Sequence, residues 1–209
     1  MGFEDSALGR LRRYREDADR SLAVAKEAGE AAGRLFGRLA AGLDHAAGLG
    51  RQAGFETEAM TDKGIFTLRA AAGPGAEARL TLGLLRGAAA ETDEDLMHED
   101  LSRWSLAPSG YSGRILGWSD VVGEDACQTF AVYGDGLWKT RGVFVEKARG
   151  RVGDPEEVLN GFCLRMLGRL VDLAALTGGA GRRWSAGASY TLPDLMDGRD
   201  FPTELRLPR

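Results

Sequence analysis

The first 48 residues carry apolar side chains at helical spacing. No proline occurs between Ser6 and Gly48, and apolar residues recur at alternating intervals of three and four. With Leu8 as the first position of a heptad, positions a and d of successive heptads are Leu8, Leu11, Arg15, Ala18, Leu22, Ala25, Gly29, Ala32, Phe36, Leu39, Leu43 and Ala46. This pattern predicts one long helix with a seam that packs against another helix.

Glycine occurs at a regular spacing within the same helix. Gly29, Gly33 and Gly37 lie four residues apart and form a row of small residues. A glycine inside a helix costs roughly 1 kcal/mol relative to alanine, so the row calls for a compensating contact. We expect this row to lie against the C-terminal helix or against a second copy of the same helix. A compositional bias on a solvent-facing surface is the third interpretation.

Short apolar runs with β-branched and aromatic residues begin after Gly54. They are separated by Asp62-Lys63-Gly64, by Gly73-Pro74-Gly75 and by Asp135-Gly136, which are typical of hairpin turns. We therefore predict an antiparallel meander of about five or six strands. The segment between Arg86 and Ser112 lacks this pattern, and we expect it to divide the strands into two groups.

A second helix is predicted near the end of the chain. Asp154 fits the N-cap, Pro155 the first helical position and Glu157 a capping box, and Gly178-Gly179 ends the segment. Its apolar face is wide, which indicates burial against one face of the sheet. We expect the N-terminal helix or a second subunit to cover the opposite face.

These elements together predict an α+β fold. Residues 1–53 form the N-terminal helix, for packing or oligomerisation, and residues 54–178 form the antiparallel sheet and a capped, amphipathic C-terminal helix. Residues 179–209 show no periodicity and are predicted to form an extended tail.

Charge and composition exclude several partners. The net charge is −4, the 27 basic residues are dispersed along the sequence, and no zinc or recognition-helix motif is present. These features argue against a nucleic-acid partner. The chain has no run of 18 apolar residues and no signal-peptide pattern, so we expect a cytoplasmic protein without a membrane partner. Cys127 and Cys163 each fall in an apolar run and are expected to be buried, reduced thiols.

Candidate catalytic residues are few. His45 and His98 are the histidines of the chain, and six carboxylates surround His98 within residues 91–100. Asp93, Asp95 and His98 are the metal-ligand candidates, although the spacing lacks the glycine and the distal glutamate of a calcium loop. A solvated acidic loop is the alternative interpretation. No cofactor is predicted.

The leading hypothesis for function is a non-enzymatic module for protein interaction or assembly. It would bind a partner protein, or a second copy of itself, through the N-terminal helix at Leu22, Gly29, Gly33, Phe36, Gly37 and Leu43. The alternative is a domain that binds a small hydrophobic ligand in a cavity lined by aromatic residues of the second half, among them Trp118, Phe130 and Trp138. The third hypothesis is an enzyme that uses the acidic cluster around His98.

Overall fold

The computed structural model describes residues 3–62, 64–90, 111–122 and 126–177. In chain order, its elements are α1 (Phe3–Gln52), β1 (Glu56–Asp62), β2 (Ile65–Ala71), β3 (Glu77–Ala90), β4 (Tyr111–Ser119), β5 (Gln128–Val132), β6 (Leu137–Gly142), β7 (Lys147–Arg151) and α2 (Glu156–Thr177). The predicted α+β class is confirmed, with a long N-terminal helix, an antiparallel sheet and a C-terminal helix.

The strands form one antiparallel meander. Their spatial order in the sheet is their order in the sequence, β1 to β7. The predicted hairpin turns lie where expected, with left-handed backbone at Gly64 (φ +83°), Gly75 (φ +73°) and Gly136 (φ +81°). Asp135 stabilises its turn because its Oδ1 accepts the Leu137 N–H at 2.9 Å.

Two details of the predicted sheet are wrong. The described residues contain seven strands, because residues 143–146 divide the run from Leu137 to Arg151 into β6 and β7. The strands also form one sheet instead of two groups, since β3 pairs directly with β4 up to Ala90 and Tyr111. β3 and β4 are therefore neighbouring antiparallel strands of the same sheet.

Both helices lie on the same face of the sheet. The inward side chains of the strands include Phe66, Leu68, Leu80, Leu82, Ile115 and Phe130, all almost fully buried. Leu39 and Leu43 of α1 and Met166 and Leu170 of α2 join them in one core. The prediction that α1 or a second subunit covers the opposite face is therefore wrong for α1.

Close contact between α1 and the sheet depends on a glycine in a strand. A Cβ atom at Gly113 of β4 would lie 2.5 Å from both the Ala28 carbonyl oxygen and the Ala32 Cβ. Arg38 then ties α1 to the turn before α2, because its guanidinium donates to the backbone carbonyls of Val152 and Asp154. The second half of α1 is thus fixed to the sheet and to the start of α2.

A buried glutamine organises the turn between β6 and β7. Gln128 is fully buried, and its Oε1 accepts the backbone N–H groups of Phe144 and Val145, both at 3.1 Å. Its Nε2 donates to the Thr140 hydroxyl at 2.7 Å and to the Val145 carbonyl at 3.1 Å. One side chain therefore satisfies four polar groups around this turn.

Candidate functional site

The two halves of α1 have opposite environments. From Ala28 onward, the seam side of α1 is buried against the sheet and α2. Before Ala28 the leucines of the same seam are exposed, with Leu8 54%, Leu11 62% and Leu22 69% accessible. Tyr14, beside the seam, is also exposed. The first half of α1 therefore presents large apolar side chains to solvent.

We define the N-terminal seam as positions a and d of the exposed half. Its members are Leu8, Leu11, Arg15, Ala18, Leu22 and Ala25. Residues 6–26 span about 30 Å at 1.5 Å per residue. In proteins, most of the stability of a helix comes from the packing of its apolar face. The N-terminal seam is therefore the surface of α1 that most needs a partner.

The structure separates the six predicted partner-binding residues. Leu22 is exposed in the N-terminal seam, whereas Phe36 and Leu43 are buried in the core of the same chain. Gly29 and Gly33 are half-buried, with a Cβ at Gly29 3.6 Å from the Gly87 backbone. The six residues do not form one continuous surface, and their contact with a partner stays a prediction.

The row of helical glycines does not make the closest contacts of α1. A Cβ at Gly37 would have no neighbour within 4 Å. Close contacts between α1 and α2 lie instead at Gly42, where a Cβ would be 2.8 Å from Cys163 Sγ, and at Gly50, where a Cβ would be 3.3 Å from the Leu167 side chain. The expected packing of the two helices is present, but it uses different glycines.

The outer surface of α2 is a second exposed apolar region. Val158 and Leu164 are 59% and 50% accessible, and Gly161 and Gly168 would admit a Cβ without a contact. With two large side chains this region is smaller than the N-terminal seam, and substitutions in it provide a control for substitutions in the seam.

Strand pairing gathers basic residues that the sequence disperses. On the outer face of the sheet, Lys139 pairs with Arg149 and Arg141 pairs with Lys147, and Arg151 continues the row along β7. Like charges placed directly opposite each other destabilise a sheet slightly. Only the register reveals this cluster, since the residues lie on two strands. The prediction of no nucleic-acid partner stays a prediction.

The aromatic residues proposed to line a ligand cavity pack against one another. The rings of Phe130 and Trp138, two of the proposed residues, are 6.2 Å apart. Phe162 of α2 packs on both, with its ring 5.9 Å from that of Phe130 and 5.4 Å from that of Trp138. Trp138 Nε1 is buried there without a hydrogen-bond partner.

An open groove lies elsewhere, between α1 and β1. Its volume is about 300 Å³, and it is lined by Ala40, Ala41, Asp44, Ala59, Thr61 and Phe66. The aromatic cluster does not line this groove, so nothing here favours the ligand hypothesis, which stays a prediction.

Catalytic chemistry finds little support in the part of the chain that the structure describes. His45 is exposed on α1. Asp93, Asp95 and His98 lie outside the described residues, as does the predicted tail. Within the described ranges, no three His, Cys, Asp or Glu side chains are grouped so that they could hold a metal ion.

The two buried thiols are expected to make the folded protein less stable at alkaline pH. Burial raises the pKa of Cys127 from 9.0 to about 11 and that of Cys163 from 9.0 to about 12. Above pH 9 the unfolded thiols ionise while the folded thiols stay protonated, so unfolding releases protons. We expect the free energy of unfolding to fall between pH 9 and 11 by up to about 1.4 kcal/mol per pH unit for each thiol.

Urea denaturation at pH 8, 9, 10 and 11 measures this loss. The Cys127→Ala/Cys163→Ala variant is the control, and its stability should fall less steeply over the same interval. Equal slopes for the two proteins would contradict the assignment.

Comparisons with known proteins identify no relative. No family model matches the chain, and neither a curated protein nor a solved structure matches it. Among the described residues, neither α1 nor α2 combines the length and the apolar character needed to cross a membrane.

Proposed function

We propose that this protein is a non-enzymatic module for protein interaction or assembly that associates through the N-terminal seam. The observation that supports the proposal is the continuity of the seam. Positions a and d of α1 are buried within the chain from Ala32 onward, and the same positions carry exposed leucines from Leu8 to Leu22. A second protein surface on the exposed half would extend the packing already present in the buried half.

The proposal predicts the effect of polar substitutions in the seam. Leu11→Gln/Leu22→Gln removes two exposed leucines and retains good helix formers. Burial of one leucine contributes about 1.5–3 kcal/mol, so the loss of two should lower the association constant by at least about a hundredfold. Light scattering on the full chain over a concentration series measures self-association. Pull-down followed by mass spectrometry measures binding to another protein.

A matched pair of substitutions on α2 is the control. Val158→Gln/Leu164→Gln replaces one exposed valine and one exposed leucine on α2, and it should leave association unchanged. At concentrations where the unmodified chain is monomeric, the melting temperature of both variants should stay close to its value, because all four residues are exposed. If the α2 variant loses association and the seam variant keeps it, the proposal is overturned.

A further inference from the structure

We infer that the partner of the N-terminal seam is a second copy of this chain, which lies antiparallel to the first. This inference rests on the proposed function and adds the partner, its direction and its register. Residues 8–25 of the two copies overlap around a twofold axis between Glu16 and Asp17. In such an arrangement each contact between two different residues occurs twice.

The seam residues fit this register in size. Antiparallel helices place each a position beside a d position of the partner. Leu11 then contacts Leu22 of the second copy, and Leu8 contacts Ala25 of the second copy. Arg15 lies beside the small Ala18, which leaves room for its long side chain to reach solvent. The pairing therefore buries six leucines, and the two Arg15 side chains lie in adjacent layers instead of directly opposite each other.

Charges next to the seam favour the same direction. Arg12 and Asp19 are exposed, lie seven residues apart and both occupy position e of the heptad. In the antiparallel pair, position e faces position e, so Arg12 of each copy faces Asp19 of the other. In a parallel pair, Arg15 would face Arg15, and Asp19 would face Tyr14 instead of a cation. Only the antiparallel direction pairs opposite charges.

The fold of the rest of the chain also excludes a parallel pair. From Ala28 onward, the seam side of α1 is covered by the chain's own sheet, because Ala28 and Ala32 lie on Gly113 of β4. Two parallel helices would bring both sheets to the same level of the same seam, where they would collide. In the antiparallel register, residue 28 of one copy lies level with residue 5 of the other, and the two sheets lie at opposite ends.

Cysteine cross-linking tests the direction and the register. The full chains carrying Leu8→Cys and Ala25→Cys are mixed and treated with a short thiol-reactive cross-linker. The inference predicts a cross-linked heterodimer as the main product. Each variant alone should give at least tenfold less product, since two copies of either position lie 17 residues or about 26 Å apart. The buried Cys127 and Cys163 do not compete under these conditions.

A charge exchange provides an independent test. Arg12→Asp replaces two attractive pairs with two repulsive ones, and we expect the dimer dissociation constant to rise by about tenfold at low salt. Arg12→Asp/Asp19→Arg restores opposite charges across the antiparallel pair, so its dissociation constant should return to within about twofold of the original. A double variant as weak as the single variant would overturn the inference.

The outcomes separate this inference from the proposed function. Cross-linking of Leu8→Cys to itself would show a parallel pair, which overturns the inference and leaves the proposed function intact. A monomeric chain that binds a different protein through the seam would also overturn the inference and leave the proposed function intact. A dimer that survives Leu11→Gln/Leu22→Gln overturns both, because the interface then lies elsewhere.

Discussion

Replacing Gly113 with alanine is expected to lower the free energy of unfolding by about 3 kcal/mol, the upper range for overpacking a close contact. The added methyl group would lie 2.5 Å from the Ala28 carbonyl oxygen and from the Ala32 Cβ. Both neighbours belong to a helix that Arg38 also fixes through its hydrogen bonds to Val152 and Asp154, so the helix cannot move away from β4 without straining those bonds. Urea denaturation followed by circular dichroism measures the loss.

Gly37→Ala is the matched control for Gly113→Ala. A Cβ at Gly37 meets no atom within 4 Å, and the residue lies in the middle of α1. Alanine there should raise the free energy of unfolding by about 0.5–1 kcal/mol, because it restricts the unfolded chain and favours the helix. Two variants of equal stability would show that α1 does not lie on β4 as described.

Replacing Gln128 with leucine is expected to have the largest effect on stability, a loss of about 3–5 kcal/mol. Leucine is similar in size to glutamine but apolar, so it fills the same space and leaves the N–H groups of Phe144 and Val145 without their acceptor. The Val145 carbonyl also loses a donor. Each buried polar group left without a partner costs about 1–3 kcal/mol. Thermal and urea denaturation of the full chain measure the change.

The neighbouring residue provides the control for Gln128. Thr129 points to the opposite face of the sheet and is half-buried, and its backbone carbonyl, not its side chain, accepts from Thr140. Thr129→Val should therefore change the free energy of unfolding by less than about 1 kcal/mol. A comparable loss in both variants would mean that β5 tolerates no substitution, and that the hydrogen bonds of Gln128 are not the cause.

Local patterns in the sequence predict much of this fold. The heptads from Leu8 to Ala46 gave the long helix, and Asp135-Gly136 gave a hairpin turn, because both signals arise from neighbouring residues. The predicted number of strands is too low because the sequence shows no clear turn between β6 and β7. Residues 143–146 contain no proline, and Gly142 is the residue typical of a turn beside them. The turn there is stabilised by Gln128, which lies on another strand. A hydrogen bond across strands leaves no local pattern.

The candidate site was only partly predictable for a related reason. Heptad spacing shows which side of α1 is apolar, but it does not show where the sheet stops covering that side. Phe36 and Leu22 therefore look equivalent in the sequence, although one is buried in the core and the other is 69% accessible. The cluster of Arg141 and Lys147 depends in the same way on strand register. Both features depend on the tertiary arrangement of the chain and therefore leave no local pattern in the sequence.

The hydrogen bonds of Arg38 bear on how the chain is synthesised. Their acceptors lie 114 and 116 residues further along the sequence, so α1 leaves the ribosome long before its binding surface exists. The chain from the end of α1 to the end of α2 takes roughly 6–25 s to synthesise at about 5–20 residues per second. During that interval the apolar side of the whole helix has no sheet to cover it. The risk of aggregation is therefore greatest in the nascent chain, and it depends on the rate of translation more than on the stability of the finished fold.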